Sequence, residues 1–275
     1  MMPAPTEEEQ ELAEALRLAV REESLRLVYQ PKLALRGGCV GGVEALARWN
    51  RDGEPVEPSR FIPVAEQCGA IDALTEWAFR TALKQWVSWR DEGAEIGIAV
   101  NVSAVTLKNL EFPDLLQQMC RLEGVPTEQV TVELTESATQ HVIRLLDTLT
   151  RFRIKGMGVA LDDFGTGYSS LLQLRQLPFT ELKIDRSFTH DVSTSEDSRL
   201  IVKSVVDLAH ALGLKAVAEG VEDGDTLDML AALGCDEVQG YFIARPMAGG
   251  DLVPWMLETA THWQEICRNP GRMAY

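Results

Sequence analysis

Apolar residues near the start of the chain recur at helical spacing. Just before them, Thr6 and Glu9 have the spacing of a capping box, in which each residue satisfies a free backbone N–H of the other. The apolar positions that follow lie about one turn apart, at Leu12, Leu16 and Val20. This pattern predicts a helix that opens the chain and ends before Leu25.

Two apolar segments come next, at residues 25–35 and 39–49. Between them stand Gly37 and Gly38, and a glycine pair permits the positive φ angles of a tight hairpin turn. The first two strands are therefore expected to run antiparallel to each other.

Farther along, short runs rich in β-branched residues alternate with longer amphipathic stretches. Such alternation is typical of strand–helix units around a parallel sheet. The predicted strands cover residues 97–103, 129–136, 158–163, 181–185, 216–220 and 237–242, and the predicted helices cover 71–89, 113–121, 141–153, 198–212 and 226–233. With the hairpin this gives about eight strands, so the predicted fold is α/β, a TIM-like (β/α)8 barrel with its first strand antiparallel.

Within the strands, bulky residues occupy one face and small or polar residues the other. In the strand at residues 97–103, Ile98, Val100 and Val102 alternate with Ala99 and Asn101. If the bulky face meets the outer helices, the polar face points into the barrel, near the carboxyl ends of the strands. Barrel enzymes have their active sites there.

The composition fits one domain and disfavours a polyanionic partner. At 275 residues and 45% hydrophobic content the chain can bury one large core, so residues 1–275 are expected to form a single domain. Its 26 basic and 42 acidic residues give a net charge of −16, which would repel a DNA or RNA duplex. No apolar run is long enough to cross a membrane and the first residues lack a signal peptide pattern, which predicts a cytoplasmic protein without membrane contact.

Several predicted strands end in a carboxylate or carboxamide. Each alone is more simply a cap or a surface charge, but their recurrence at corresponding places favours a shared site. Converging carboxylates repel one another unless cations neutralise them, and a set of oxygen ligands suits Mg²⁺ or Mn²⁺. A site with two metal ions is therefore expected among Glu44, Asn101, Glu133, Asp162, Asp163, Glu219 and Gln239.

Lys183 alternates with Leu182 and Ile184, which places it on the same interior face as these acids. It either balances their charge or, as a functional group, orients water and stabilises charge on phosphoryl oxygens. We expect Lys183 and Glu219 to line the open mouth of the barrel. The two acids at residues 162–163 precede a Gly-x-Gly segment, which indicates a mobile loop beside the metals.

The order and spacing of these motifs resemble the EAL family, over roughly residues 12–251. The matching segments are Tyr29-Gln30-Pro31, Glu44-Ala45-Leu46 with Arg48-Trp49, Asn101-Val102-Ser103, Glu133-Leu134-Thr135-Glu136, residues 162–170, Lys183-Ile184-Asp185, residues 218–222 and Gln239-Gly240-Tyr241. No metal-ligand position departs from the family pattern.

The resemblance implies a role for each matching residue. One metal would be held by Glu44, Asn101, Glu133 and Asp162. Asp162 would bridge to a second metal held with Asp163, and Glu219 would act as its ligand or as the general base. Lys183 would lie beside the attacking water and Glu136 would anchor the loop. The residues expected to contact the substrate or support the site are Gln30, Leu46, Arg48, Glu222 and Gln239.

The resemblance also implies an activity and a set of partners. The expected reaction is metal-assisted hydrolysis of cyclic di-GMP to linear pGpG. The alternatives are a receptor that binds cyclic di-GMP without cleaving it, and a phosphodiesterase for another cyclic dinucleotide. A homodimer is expected whose interface involves the helix after Asp163, entered at Tyr168, and sensory or cyclase domains are expected in a longer parent protein.

Overall fold

The computed structural model describes residues 6–22, 24–165 and 171–268, and its sheet closes into a barrel. In chain order its strands are β1 (Leu25–Ala34), β2 (Cys39–Arg51), β3 (Glu54–Val56), β4 (Gly97–Asn101), β5 (Val130–Thr135), β6 (Gly158–Phe164), β7 (Glu181–Ile184), β8 (Lys215–Ala218) and β9 (Glu237–Val238). Strands β1, β2 and β4–β9 close the barrel through the β1–β2 pairing, while β3 pairs with β2 outside it.

Strand β1 runs antiparallel to both of its barrel neighbours, β2 and β9, whereas the remaining neighbours pair in parallel. The turn that reverses the chain uses Gly37 and Gly38, with φ angles of 104° and 64°. Both angles lie where a side chain is disfavoured, as the sequence indicated. The predicted fold, a TIM-like barrel with its first strand antiparallel, is confirmed.

Helices surround the barrel and cover its bulky outer face. They are α1 (Glu7–Arg21), α2 (Pro58–Gln67), α3 (Ile71–Asp91), α4 (Phe112–Glu123), α5 (Val142–Ile154), α6 (Leu171–Gln176), α7 (Arg186–Thr189), α8 (Glu196–Ala211), α9 (Gly224–Leu233) and α10 (Gly249–Arg268). Ile98, Val100 and Val102 are buried in the hydrophobic core between strand and helices. The polar faces of the strands therefore point into the barrel, as the alternation predicted.

The opening helix is confirmed with its capping box. The Thr6 side chain accepts a hydrogen bond from the Glu9 backbone, and Glu9 accepts one from the Thr6 backbone. Its apolar face buries Leu12 and Leu16. Across the described ranges, every helix is too short or too polar to span a lipid bilayer.

The last strand ends earlier than the pattern predicted. The prediction covered residues 237–242, but β9 stops at Val238. Past that point the chain turns, with Ile243 N–H donating to the Gly240 carbonyl at 3.1 Å. Gly240 lies directly against the Val221 backbone, where a Cβ atom would collide. This contact between two loops is tertiary, so periodicity within one segment does not reveal it. Helices α2, α7 and α10 were also not predicted.

Candidate active site

The predicted acids meet at the carboxyl end of the parallel strands. Strand pairing sets Glu133 of β5 opposite Asn101 of β4, and Asp162 of β6 opposite Thr135. Glu219 directly follows β8, and its N–H donates to the Ile184 carbonyl at 3.1 Å. The sheet thus carries acids from distant parts of the chain to one edge.

The carboxylates form two groups that share Asp162. In one group, oxygens of Glu44, Glu133 and Asp162 all lie within 4.8 Å of one another. In the other, the same holds for Asp162, Asp163 and Glu219. Oxygen ligands at this spacing suit hard divalent cations, and a shared carboxylate suits two neighbouring ions. The residues therefore fit the predicted pair of metal ions.

Lys183 stands at the centre of these acids. Its Nζ lies 2.7 Å from Glu219 Oε1, 2.9 Å from Glu133 Oε2 and 3.0 Å from Asp162 Oδ1. Glu44 Oε2 is farther, at 3.5 Å. The expectation that Lys183 lines the open mouth was wrong, because its side chain is 0% exposed. The lysine is instead the buried counterion of these acids.

Burial and neighbouring charges shift the pKa values of the acids in opposite directions. Burial alone would raise the pKa of Glu133, but the positive charges of Lys183 and Lys32 outweigh it and lower that pKa to about 2. Burial is the main cause that raises the pKa of Glu219 to about 8. Repulsion from Asp162 and Glu44 acts in the same direction, whereas the positive charge of Lys183 opposes the shift. Burial likewise raises the pKa of Asp162. Lys183 and Lys32 carry fewer charges than the five carboxylates of the two groups, so this end of the barrel favours further cations.

Amide side chains tie the rim of the site to Glu44. Asn101 Nδ2 donates to Glu44 Oε1 at 2.7 Å. Gln239 Nε2 donates to Glu44 Oε2 at 2.8 Å and to Gln30 Oε1 at 3.0 Å. Gln30 in turn donates to the Ala244 carbonyl at 3.1 Å. These bonds fix both oxygens of Glu44, so its position does not depend on Lys183 alone.

The carboxyl end of β6 places Asp163 beside the site. Asp163 has a positive φ of 55°, and its N–H donates to Asp162 Oδ1 at 3.0 Å. Glu136 Oε2 accepts from the Gly165 N–H at 3.0 Å, which is the kind of contact that a loop anchor requires. Residues 166–170, which complete the predicted mobile loop, and the predicted helix entry at Tyr168 lie outside the described residues.

A cavity of about 340 Å³ opens over the acids. Of the predicted substrate residues, its walls include Gln30, Leu46, Glu222 and Gln239. Arg48 instead lines a second, largely apolar cavity of about 410 Å³, and Leu46 borders both. Arg48 Nη1 donates to the Ala47 carbonyl at 2.9 Å.

Three polar residues at or near the site were missed by the sequence reasoning. Asp185 and Arg186 directly follow β7 and line the first cavity. Asp185 is the last residue of the Lys183-Ile184-Asp185 motif and Arg186 follows it, but the sequence analysis assigned neither a role. Lys32 reaches Glu133 Oε1 from β1 at 2.8 Å. Its place two residues after Gln30, on the same face of the strand, was the available signal.

Comparison with known proteins agrees with this geometry. Residues 13–246 match the family model described as the EAL domain. A curated relative from Pseudomonas aeruginosa, cyclic di-GMP phosphodiesterase PA2567, is 39% identical over 86% of this chain and 40% of the relative. Another from that species, bifunctional diguanylate cyclase/cyclic di-GMP phosphodiesterase MucR, is 38% identical over 92% of this chain and 37% of the relative.

A solved structure shares most of this fold. The PaMucR phosphodiesterase in its c-di-GMP complex has a TM-score of 0.82 and 38% identity, covering 88% of this chain and 99% of that one. The chain spans less than half the length of the two curated relatives. Because the family model matches most of the chain and relatives of this similarity cover nearly all of it, the chain belongs to the EAL domain family.

Proposed function

We propose that this chain hydrolyses cyclic di-GMP to linear pGpG with two bound divalent cations, Mg²⁺ or Mn²⁺. The observation that carries the proposal is the pair of carboxylate groups that share Asp162 beneath an open cavity. The names of relatives at 38–39% identity, both cyclic di-GMP phosphodiesterases, supply the substrate.

The first cation would be held by Glu44, Glu133 and Asp162 with the Asn101 amide, and the second by Asp162, Asp163 and Glu219. When bound, such a pair of cations makes water more acidic and neutralises negative charge on phosphoryl oxygens. Glu219 holds its carboxylate 2.7 Å from Lys183, which keeps both groups in place before substrate arrives. Water adds to one phosphorus, the bond from that phosphorus to the 3′ oxygen breaks, and the 3′ oxygen takes up a proton.

Lys183 is proposed to act through the acids and on the charge of the transition state. Its ammonium group touches members of both carboxylate groups, so it keeps their oxygens at separations that repulsion would otherwise widen. Its buried charge would also stabilise phosphoryl charge across the acids that line the cavity, because little water screens it.

The substrate is proposed to lie across both cavities. They meet at Leu46, so an extended dinucleotide can cross from the acids to the apolar pocket beside Arg48. Gln30, Glu222 and Gln239 would line the half nearest the cations. The apolar walls of the second cavity suit a purine ring.

Partners and location follow from the family as further proposals. The chain would work in the cytoplasm and within a longer protein carrying sensory or cyclase domains, since it spans 40% and 37% of its two relatives. A homodimer is supported by exposed leucines on α6, the short helix after Asp163.

The rival function is a receptor that binds cyclic di-GMP without cleaving it. Both carboxylate groups are complete, which favours the enzyme. The two functions separate when the protein is incubated with cyclic di-GMP and Mg²⁺, with or without chelator, and the nucleotides are resolved by chromatography. The enzyme converts the substrate only without chelator. Tight binding without conversion in Mg²⁺ or Mn²⁺ would identify the receptor. A panel of other cyclic dinucleotides tests the substrate.

A further inference from the structure

A second lysine, Lys32, enters the barrel interior from the antiparallel strand β1. In the β1–β2 register Gln30 faces Glu44 and Lys32 faces Gly42. Inward side chains alternate along a strand, so Lys32 lies one layer deeper than the amides that border the cavity. It is buried, and its other side borders a small cavity at the opposite end of the barrel.

Lys32 and Lys183 contact different oxygens of Glu133. Glu133 Oε1 lies 2.8 Å from Lys32 Nζ, whereas Oε2 lies 2.9 Å from Lys183, which also contacts Glu44, Asp162 and Glu219. Among the ion pairs of the described residues, Lys32 has one further partner, Glu181, at 3.7 Å. The two oxygens of Glu133 therefore have separate counterions.

We infer that Lys32 is a positioning residue for the first cation site: by holding Oε1 of Glu133 it leaves Oε2 directed at the cation. The inference rests on the proposed two-metal function. Glu133 is 0% exposed, so no solvent replaces a lost donor at Oε1. A buried carboxylate oxygen without a donor is costly, and the group would rotate to share its remaining partners.

Two effects of removing Lys32 oppose each other. Loss of a positive charge favours binding of a cation anywhere nearby, whereas loss of the donor frees the Glu133 carboxylate. We expect the second effect to be larger, because Lys32 contacts Oε1, whereas Oε2 is the oxygen that shares Lys183 with the other acids. Replacing a residue that hydrogen-bonds to a metal ligand typically lowers metal affinity by about 10- to 100-fold.

The chain offers a matched control lysine. Lys215 lies at the same end of the barrel as Glu181, and its Nζ is 3.0 Å from Glu237 Oε1. It does not contact Glu133 in any ion pair of the described residues. Lys215→Met therefore removes a barrel lysine and its ion pair while leaving the Glu133 oxygens in place.

The test is Mn²⁺ binding to the substrate-free full chain, measured by calorimetry and by the EPR signal of unbound Mn²⁺. Lys32→Met should weaken binding by about 10- to 100-fold. Lys32→Arg, which keeps charge and donor, should recover most of the loss, and Lys215→Met should match wild type. In turnover, Lys32→Met should need more Mn²⁺ for half-maximal rate while KM for cyclic di-GMP at saturating Mn²⁺ stays unchanged.

Unchanged or tighter Mn²⁺ binding by Lys32→Met overturns the inference, as does an equal loss in Lys215→Met. If Lys32→Met does not fold, Lys32→Met/Glu181→Gln takes its place with Glu181→Gln as control, and the same loss is expected, since the second acid facing Lys32 is then neutral. A wild-type protein that binds no Mn²⁺ would instead overturn the proposed metal sites. Failure of this inference and failure of the proposed function are thus distinct.

Discussion

Lys183 Nζ lies 2.7 Å from Glu219 Oε1, and the two groups differ in how deeply they are buried. The Lys183 side chain is 0% exposed and the Glu219 side chain is 19% exposed. The lysine is enclosed among the acids, and the glutamate borders the cavity. This difference predicts separate consequences when each is replaced.

Lys183→Met and Glu219→Gln should each lower kcat by at least about 10²-fold, the scale for loss of one group acting on transition-state charge. Only Lys183→Met should also lower the melting temperature of the metal-free protein, because it leaves buried carboxylates without their cation, a change that costs about 3–5 kcal/mol. Burial and the neighbouring acids raise the pKa of Glu219, so the folded protein disfavours its ionisation, and Glu219→Gln should melt at or above the wild-type temperature. Equal melting of both variants and wild type by calorimetry would contradict this assignment.

Gly165→Ala should disrupt the segment that carries Asp163. Gly165 has a φ of +101°, and a Cβ there would lie 2.5 Å from the Phe188 ring. The collision should displace Asp163 and lower kcat by about 10²-fold, since catalysis depends on placement of the reacting groups. Gly213→Ala is the control: its φ is +74° but its Cβ would meet open space. It should lose stability, about 1–2 kcal/mol, and keep its rate. If both variants keep their rates, the Gly165 segment does not control the site.

Glu136→Ala should weaken binding of the second cation more than the first. Glu136 accepts from the Gly165 N–H at 3.0 Å, so its loss frees the segment that holds Asp163. Titration with Mn²⁺ should then show one tight and one weakened site, with a reduced rate. Glu76→Ala, which removes an exposed glutamate paired with Arg80, serves as the control. Two tight sites and a normal rate in Glu136→Ala would exclude an anchoring role.

Charges introduced on α6 should dissociate the proposed dimer. Leu171 and Leu172 are 65% and 56% exposed on this helix. Leu171→Glu/Leu172→Glu should halve the mass measured by light scattering and lower activity, because buried charge opposes association. Leu257→Glu, at an exposed leucine of α10, should leave the mass unchanged. A wild-type monomer at every concentration, with full activity, would exclude the dimer.

The sequence predicted the barrel and its antiparallel first strand because both follow from local signals: a glycine turn, period-two alternation and repeated strand–helix units. It also placed Glu44, Glu133 and Asp162 on one face. The sequence did not predict how deep in the barrel each side chain lies. Alternation indicates which face of a strand a residue is on, but its layer in the barrel depends on strand tilt and stagger. Lys183 was for that reason placed at the mouth. Lys32 was missed because its partner Glu133 lies 101 residues away.

The central claim is that water adds to one phosphorus of cyclic di-GMP when both cation sites are filled. Its most direct test is turnover with Mg²⁺ in ¹⁸O-enriched water, with products read by mass spectrometry. We predict pGpG carrying one heavy oxygen on its 5′ phosphate, and no product after chelation or in Asp162→Asn, which alters the carboxylate shared by both groups. Unchanged cyclic di-GMP with wild-type protein and Mg²⁺ or Mn²⁺, or full turnover after exhaustive chelation, would contradict the claim.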